Sequence, residues 1–195
     1  DVDPSEIDKS VPATVPIVGD VKRVLKQLNA VVEQTTHTEW IAHLDQLRRA
    51  HPSLHIRENG KLLPQYIIRE LSAVTQGEAI IVTGVGQHQM WAAQHYTFRE
   101  AGTLITCGGL GAMGFEVPAA MGAQVGRHDR VVWSIAGDGG FQMTMPDLET
   151  IVENHIPVKF ALINNGYLGM VRQWQEFFYE RRYAATPLLS PDFAK

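Results

Sequence analysis

The sequence predicts an α/β fold in which a parallel sheet is flanked by helices. Three observations predict it. Four short runs, at 79–83, 104–106, 131–136 and 158–163, are apolar almost without interruption, as strands are when both faces of their sheet are covered. The segments between them repeat apolar residues at helical spacing. Three of the runs end on Gly84, on Gly137-Asp138-Gly139-Gly140 and on Asn164-Asn165, and ligands of such sheets bind at the carboxyl ends of strands.

The elements follow in order. Residues 1–29 close an earlier domain: Val15, Ile17 and Val18 fit a short strand after Pro12, and Asp20 caps a helix carrying Val21, Val24, Leu25 and Leu28. A second helix follows Thr38, with Trp40, Ile41, Leu44 and Leu47 on one face and Arg48-Arg49 near its end; His51-Pro52 stops it. Residues 51–63 are polar and contain the turn signal Asn59-Gly60, so the domain boundary falls near residue 60. We therefore expect residues 1–29 as one domain end, 30–61 as helix and linker, and 62–195 as the main domain. Pro64 opens a helix with Tyr66, Ile67, Ile68, Leu71 and Val74. The strand at 79–83 is followed by a helix near 88–96. The strand at 104–106 leads through a Gly-rich turn, 108–114, into a helix with Ala119, Ala120, Met121 and Ala123. After the strand at 131–136, Thr144 is the expected cap of a helix carrying Leu148, Ile151 and Val152, with Pro146 in its first turn. The last strand, 158–163, ends at the Asn pair. There is no internal repeat or low-complexity tract.

Composition excludes several function classes. Net charge is −4, with 45% hydrophobic and 19% charged residues, so neither nucleic acid nor an anionic membrane is expected as partner. The single Cys107 rules out an internal disulfide and fits a reducing, cytoplasmic setting. None of the eight His residues shows zinc-ligand spacing with it. No apolar run approaches a membrane span, and no signal pattern opens the chain. It begins on Asp1 rather than Met, which reads as a piece of a longer polypeptide.

Asp138 and Asn165 lie 27 positions apart, each just past an apolar run. A carboxylate and an amide oxygen are hard donors that suit Mg²⁺, and glycines beside the Asp let backbone N–H groups approach a phosphate. Together they read as a site that holds a diphosphate through a divalent cation; separately, each is an ordinary turn cap. The turn 108–114 either cradles part of a ligand or permits close helix–strand packing. Gln87, His88 and Gln89 stand at a helix N-terminus facing the same crevice, as phosphate donors or as structural hydrogen-bonders.

The Gly137-Asp138-Gly139 and Asn164-Asn165 pair resembles the metal and diphosphate motif of thiamine diphosphate (ThDP) enzymes. With Thr83-Gly84-Val85-Gly86-Gln87-His88-Gln89-Met90-Trp91, the Gly108–Phe115 block, Gly137–Thr144 and Leu168-Gly169-Met170-Val171-Arg172-Gln173-Trp174-Gln175 in order, the whole chain resembles the large, catalytic subunit of the acetohydroxyacid synthase (acetolactate synthase) family. The resemblance implies the end of a Rossmann-like middle domain at 1–29, then the ThDP-binding, pyrophosphate-holding domain from about residue 62. It implies Mg²⁺ held by Asp138, Asn165 and the carbonyl of Tyr167. The cofactor would lie along Gln87, His88, Gln89, Gly109, Gly111, Met113, Gly137, Gly139, Gly140, Leu168, Gly169 and Met170, with Gly111 accepting from the aminopyrimidine and Met113 bending the cofactor. Met170 and Trp174 would line the acceptor pocket; the alternative for Trp174 is a helix-core residue beside Val171 and Phe178.

The implied reaction decarboxylates pyruvate and condenses the two-carbon unit with pyruvate or 2-ketobutyrate, toward the branched-chain amino acids. FAD belongs to the full-length enzyme, a homodimer or tetramer with a small regulatory subunit as further partner, cytoplasmic or in plastids or mitochondria. No catalytic residue is assigned here, because the family's activating Glu comes from an N-terminal domain of a neighbouring subunit; the fragment alone is expected to be inactive. Glu116 departs from the family, where an uncharged residue is more usual. Two rival readings are another ThDP enzyme, such as glyoxylate carboligase, pyruvate oxidase or pyruvate decarboxylase, and a dinucleotide-binding module using Gly109-x-Gly111-x-x-Gly114.

Overall fold

The computed structural model describes residues 1–57 and 60–194. Asn59 of the expected Asn59-Gly60 turn and the terminal Lys195 lie outside the described residues. The chain divides into two compact units, Asp1–Ser53 and Leu54–Lys195.

The first unit is helical. Asp20 caps α1 (Val21–Val31) by accepting a hydrogen bond from the Arg23 N–H at 3.0 Å. α2 (Thr38–Ala50) carries Arg48 and Arg49 in its last turn, where they offset the negative end of the helix dipole. No strand forms over Val15–Val18, contrary to the sequence expectation. Asp1 donates to the Ile17 carbonyl and accepts from the Gly19 N–H just past this stretch, and an extended segment without a neighbouring strand has no ladder to join. No described residue of 1–53 is buried.

The second unit holds the sheet. In order it contains α3 (Pro64–Val74), β1 (Ile80–Thr83), α4 (Gln87–His95), β2 (Leu104–Thr106), α5 (Glu116–Gly126), β3 (Val132–Gly137), α6 (Asp138–Met143), α7 (Asp147–Glu153), β4 (Lys159–Ile163) and α8 (Gly169–Phe178). The four strands are all parallel, in the order β2-β1-β3-β4. Alternate strand residues feed opposite faces. Ile81 and Ile135 pack with Ile68 of α3 and Ala92 of α4, whereas Ile80, Val82 and Val132 pack with Ala120 of α5. Farther along, Ala136 meets Val117, Phe141 and Ile151 from α5, α6 and α7. Burying both faces is what makes the strands read as unbroken apolar runs.

One short helix was not foreseen, and one expected cap changes place. The glycines at 139 and 140 lie inside a short helix, α6, that starts on Asp138 directly after β3. Thr144 closes that helix instead of capping the next one, and its hydroxyl donates to the Gly114 carbonyl at 2.8 Å. α7 begins only after Pro146. Among the described residues no helix is long and apolar enough to cross a membrane.

Candidate functional site

The chain leaves β1 toward β2 on one side and returns to β3 on the other. This reversal of strand order opens a crevice at the carboxyl ends of β1 and β3, the place where open parallel sheets take ligands. Gly86 enters it from the loop after β1, Gln87 and His88 from the first turn of α4, Gly137 from the end of β3 and Asp138 from the start of α6. Asn165 and Leu168 enter it from the loop after β4, and Gly169 from the start of α8. Gly86 has φ of 151°, a backbone region open essentially to glycine alone, and this sharp turn starts α4 at the cleft.

Asp138 is 2% exposed. One carboxylate oxygen accepts from the Gly139 N–H at 3.1 Å; the other accepts from the Gly166 N–H at 2.9 Å and the Ser190 hydroxyl at 3.2 Å. Ionised, it has about four lone-pair sites, so these bonds orient it and leave capacity for a cation. The Asn165 amide oxygen accepts from the Tyr167 N–H at 3.0 Å and keeps a second lone pair. The loop carrying Asn165 and Tyr167 is fixed by a two-bond pairing with residues 186–188: Leu168 N–H to the Thr186 carbonyl, and Leu188 N–H to the Gly166 carbonyl, both 2.8 Å. Arg172 of α8 lies over the rings of Tyr167 (4.3 Å) and Tyr183 (4.8 Å), a second tie of the same loop. Among the described residues no three His, Cys, Asp or Glu side chains gather to hold a metal. A cation here would rest on one carboxylate, amide and carbonyl oxygens, and oxygens of a bound ligand, a hard set suited to Mg²⁺.

His88 is 6% exposed, and burial pushes its imidazole down to about 4, so the ring is neutral at pH 7. Its Nε2 is buried and has no partner among the described residues. A buried polar atom left open on the wall of a glycine-lined cleft fits a ligand that brings hydrogen-bonding oxygens of its own. The Gln87 amide donates to the Gln173 side chain at 2.8 Å, which joins α4 to α8. Gln89 turns away from the cleft: its amide donates to Thr106 at 2.8 Å, beside a Thr83–Thr106 hydroxyl bond of 2.7 Å.

The remaining expected residues separate into two groups. Met113, Gly139, Gly140, Tyr167 and Met170 line the cleft with those above. Gly109 and Gly111 do not line it; Gly111 lies near Val85, which does. Met170 and Trp174 also border a shallow depression with Val171, Gln175, Tyr179 and Arg182. Trp174 is 55% exposed and meets the Phe178 ring in a tilted contact, centroids 5.1 Å apart; no residue of α8 is buried. Sequence reasoning missed Ser190, which sits in an irregular segment with no motif signal, and Gln173, which was quoted only as part of a motif. It also gave no role to Glu116, which is wholly buried at the start of α5.

The family described as "Thiamine pyrophosphate enzyme, C-terminal TPP binding domain" matches residues 84–195. The chain is 47% identical, over its whole length, to an acetolactate synthase of Mycobacterium leprae, covering 33% of that protein. It is 47% identical over 99% of its length to the acetolactate synthase large subunit of Corynebacterium glutamicum, covering 33% of it. Against the mitochondrial acetolactate synthase catalytic subunit of Saccharomyces cerevisiae the identity is 42%, over the whole chain and 29% of the relative. The chain thus spans about a third of the length of these relatives. With its parallel sheet, its glycine-lined cleft and a family match over residues 84–195, this chain belongs to the thiamine pyrophosphate enzymes and carries their C-terminal cofactor-binding domain.

Proposed function

We propose that this chain is the cofactor-binding segment of an acetolactate synthase catalytic subunit, dependent on ThDP and Mg²⁺. In this reading residues 1–29 end a middle domain that carries FAD, 30–61 are helix and linker, and 62–195 form the ThDP domain. Asp138, Asn165 and the Tyr167 carbonyl hold the cation. Gln87 and the open Nε2 of His88 face the diphosphate, and the turn containing Gly109, Gly111 and Met113 receives the aminopyrimidine. Bound ThDP supplies the electron sink for decarboxylating a 2-ketoacid, which no protein side chain provides. The chain's own residues bind, orient and shield. Neutral His88 donates or accepts one hydrogen bond without adding charge, and Leu168 and Met113 exclude water beside Gly139. Met170 and Trp174 contact the acceptor ketoacid, pyruvate or 2-ketobutyrate, to give acetohydroxyacids. The working enzyme is a dimer or tetramer with a small regulatory subunit, in the cytoplasm or an organelle, because the cofactor site is completed by a neighbouring subunit.

The observation that supports this most is the convergence of Asp138 and Asn165, from the ends of two strands, on one cleft with the unpartnered His88. Calorimetric titration with ThDP tests it, with and without Mg²⁺, in the full-length subunit. Binding should require Mg²⁺, and Asp138→Ala should weaken it by about 100-fold, the loss of a charged ligand to the cation. Equal binding with and without Mg²⁺, or an Asp138→Ala variant that binds like the wild type, removes the metal assignment.

A further inference from the structure

Glu116 is the first residue of α5, and its side chain is completely buried. Neither carboxyl oxygen has a hydrogen-bond partner among the described residues. The carboxyl occupies the space where a side chain on Gly84 would stand, and also that where a side chain on Gly140 would stand. Glycine at both positions is what admits it. An ionised carboxylate so placed would be uncompensated. Burial accordingly pushes its titration upward; the nearby backbone N–H groups of Glu116 and Gly114 oppose this weakly, outside hydrogen-bonding geometry.

The placement of this group gives it a role. α6 carries Asp138, Gly139 and Gly140, the cradle for a diphosphate, whereas the turn 108–114 stands immediately before Glu116. The two segments already touch at the far end of α6. There Thr144 donates to the Gly114 carbonyl, and Gly114, at φ of 85°, lies against Met143, Thr144 and the Gly140 carbonyl. Glu116 meets α6 about one turn earlier, at Gly140 in the middle of the helix. The turn is therefore braced against the helix at two points, one a hydrogen bond and the other a wedge.

We propose that Glu116 is a positioning residue which sets the spacing between the diphosphate cradle at 138–140 and the turn 108–114 that receives the aminopyrimidine. The proposal rests on the ThDP reading above. A spacer between two half-sites matters to a ligand that spans both and is indifferent to one that fills a single half. It acts by shape, so an uncharged side chain of the same size serves equally well.

The test uses the full-length subunit with Mg²⁺ and two probes, ThDP and inorganic pyrophosphate, for wild type, Glu116→Ala, Glu116→Gln and Asp138→Ala. Glu116→Ala should lose about tenfold in ThDP affinity and hold pyrophosphate affinity within about twofold, whereas Glu116→Gln should match the wild type for both. Asp138→Ala should lose both probes. Equal losses of ThDP and pyrophosphate in Glu116→Ala would mean a general loosening of the domain and overturn the spacer role. Unchanged ThDP binding in Glu116→Ala overturns it too, as does a Glu116→Gln variant that behaves like Ala. A wild type that binds neither probe removes the ThDP reading itself, and the inference with it.

Discussion

His88 shows how burial alone sets a side chain's chemistry. Its ring is covered and faces Gly86 and Gly137, and loss of solvent there disfavours a positive charge. The folded imidazole takes a proton only near pH 4, whereas in the unfolded chain it does so near 6.5. Between these values the unfolded chain binds more protons, so stability falls as pH drops from 6.5 toward 4 and is flat in this respect above 6.5. By pH 5 the loss from this one group is about 2 kcal/mol. Denaturant unfolding at pH 7.5 and at pH 5 should show that His88→Gln loses correspondingly less than wild type; identical losses would mean the imidazole is not held neutral. None of this was readable in advance, since a His after a strand is equally ordinary as a surface hydrogen-bonder. Glu116 was harder still. An acidic residue in a first helical turn reads as solvent-facing and favourable to the dipole, and its burial follows only from the two distant glycines that make room for it.

At the scale of elements, the strands were legible and the short helix α6 was not. β1 and β3 are apolar runs because each buries side chains on both faces, β4 at the sheet edge is mostly half-buried, and the carboxyl ends of all three were marked by Gly, Asp and Asn. α6 is six residues long and contains Gly139 and Gly140, which propensity alone assigns to a turn. Tertiary packing of Phe141 against Phe160 and Phe193 holds it instead. α8 presents the opposite situation. Its period is strongly amphipathic, yet Val171, Trp174, Phe177 and Phe178 are 46%, 55%, 68% and 67% exposed. Trp174→Ala should therefore change the stability of this domain by less than about 1 kcal/mol, whereas Ile135→Ala, at a wholly buried site between α3, α4 and the sheet, should cost about 2–5 kcal/mol. Chemical denaturation of both variants checks the contrast. A large loss in Trp174→Ala would mean that α8 packs more deeply than its exposure indicates.

The whole molecule is uneven in the protection it gives its own backbone. The first unit has α1 and α2 but no buried described residue, whereas the second encloses three apolar clusters around its sheet. Amide hydrogen exchange should accordingly be fast through 21–31 and 38–50 and slowest in β1 and β3, with local opening of the first unit well below the global unfolding free energy. Slow exchange in α1 equal to that in β3 would contradict this. The sheet order carries one more consequence, for the time course of folding. Ile80 in β1 pairs with Val132, 52 residues later in the chain, whereas its neighbour β2 starts only 24 residues after it. During synthesis β1 can first meet β2 and waits, with its other side open, until β3 has been made. Closing that longer loop is the entropically demanding step. The crevice between β1 and β3 is therefore among the last features to form, and a ligand that clasps His88 and Asp138 together would hold the finished sheet closed and slow its reopening.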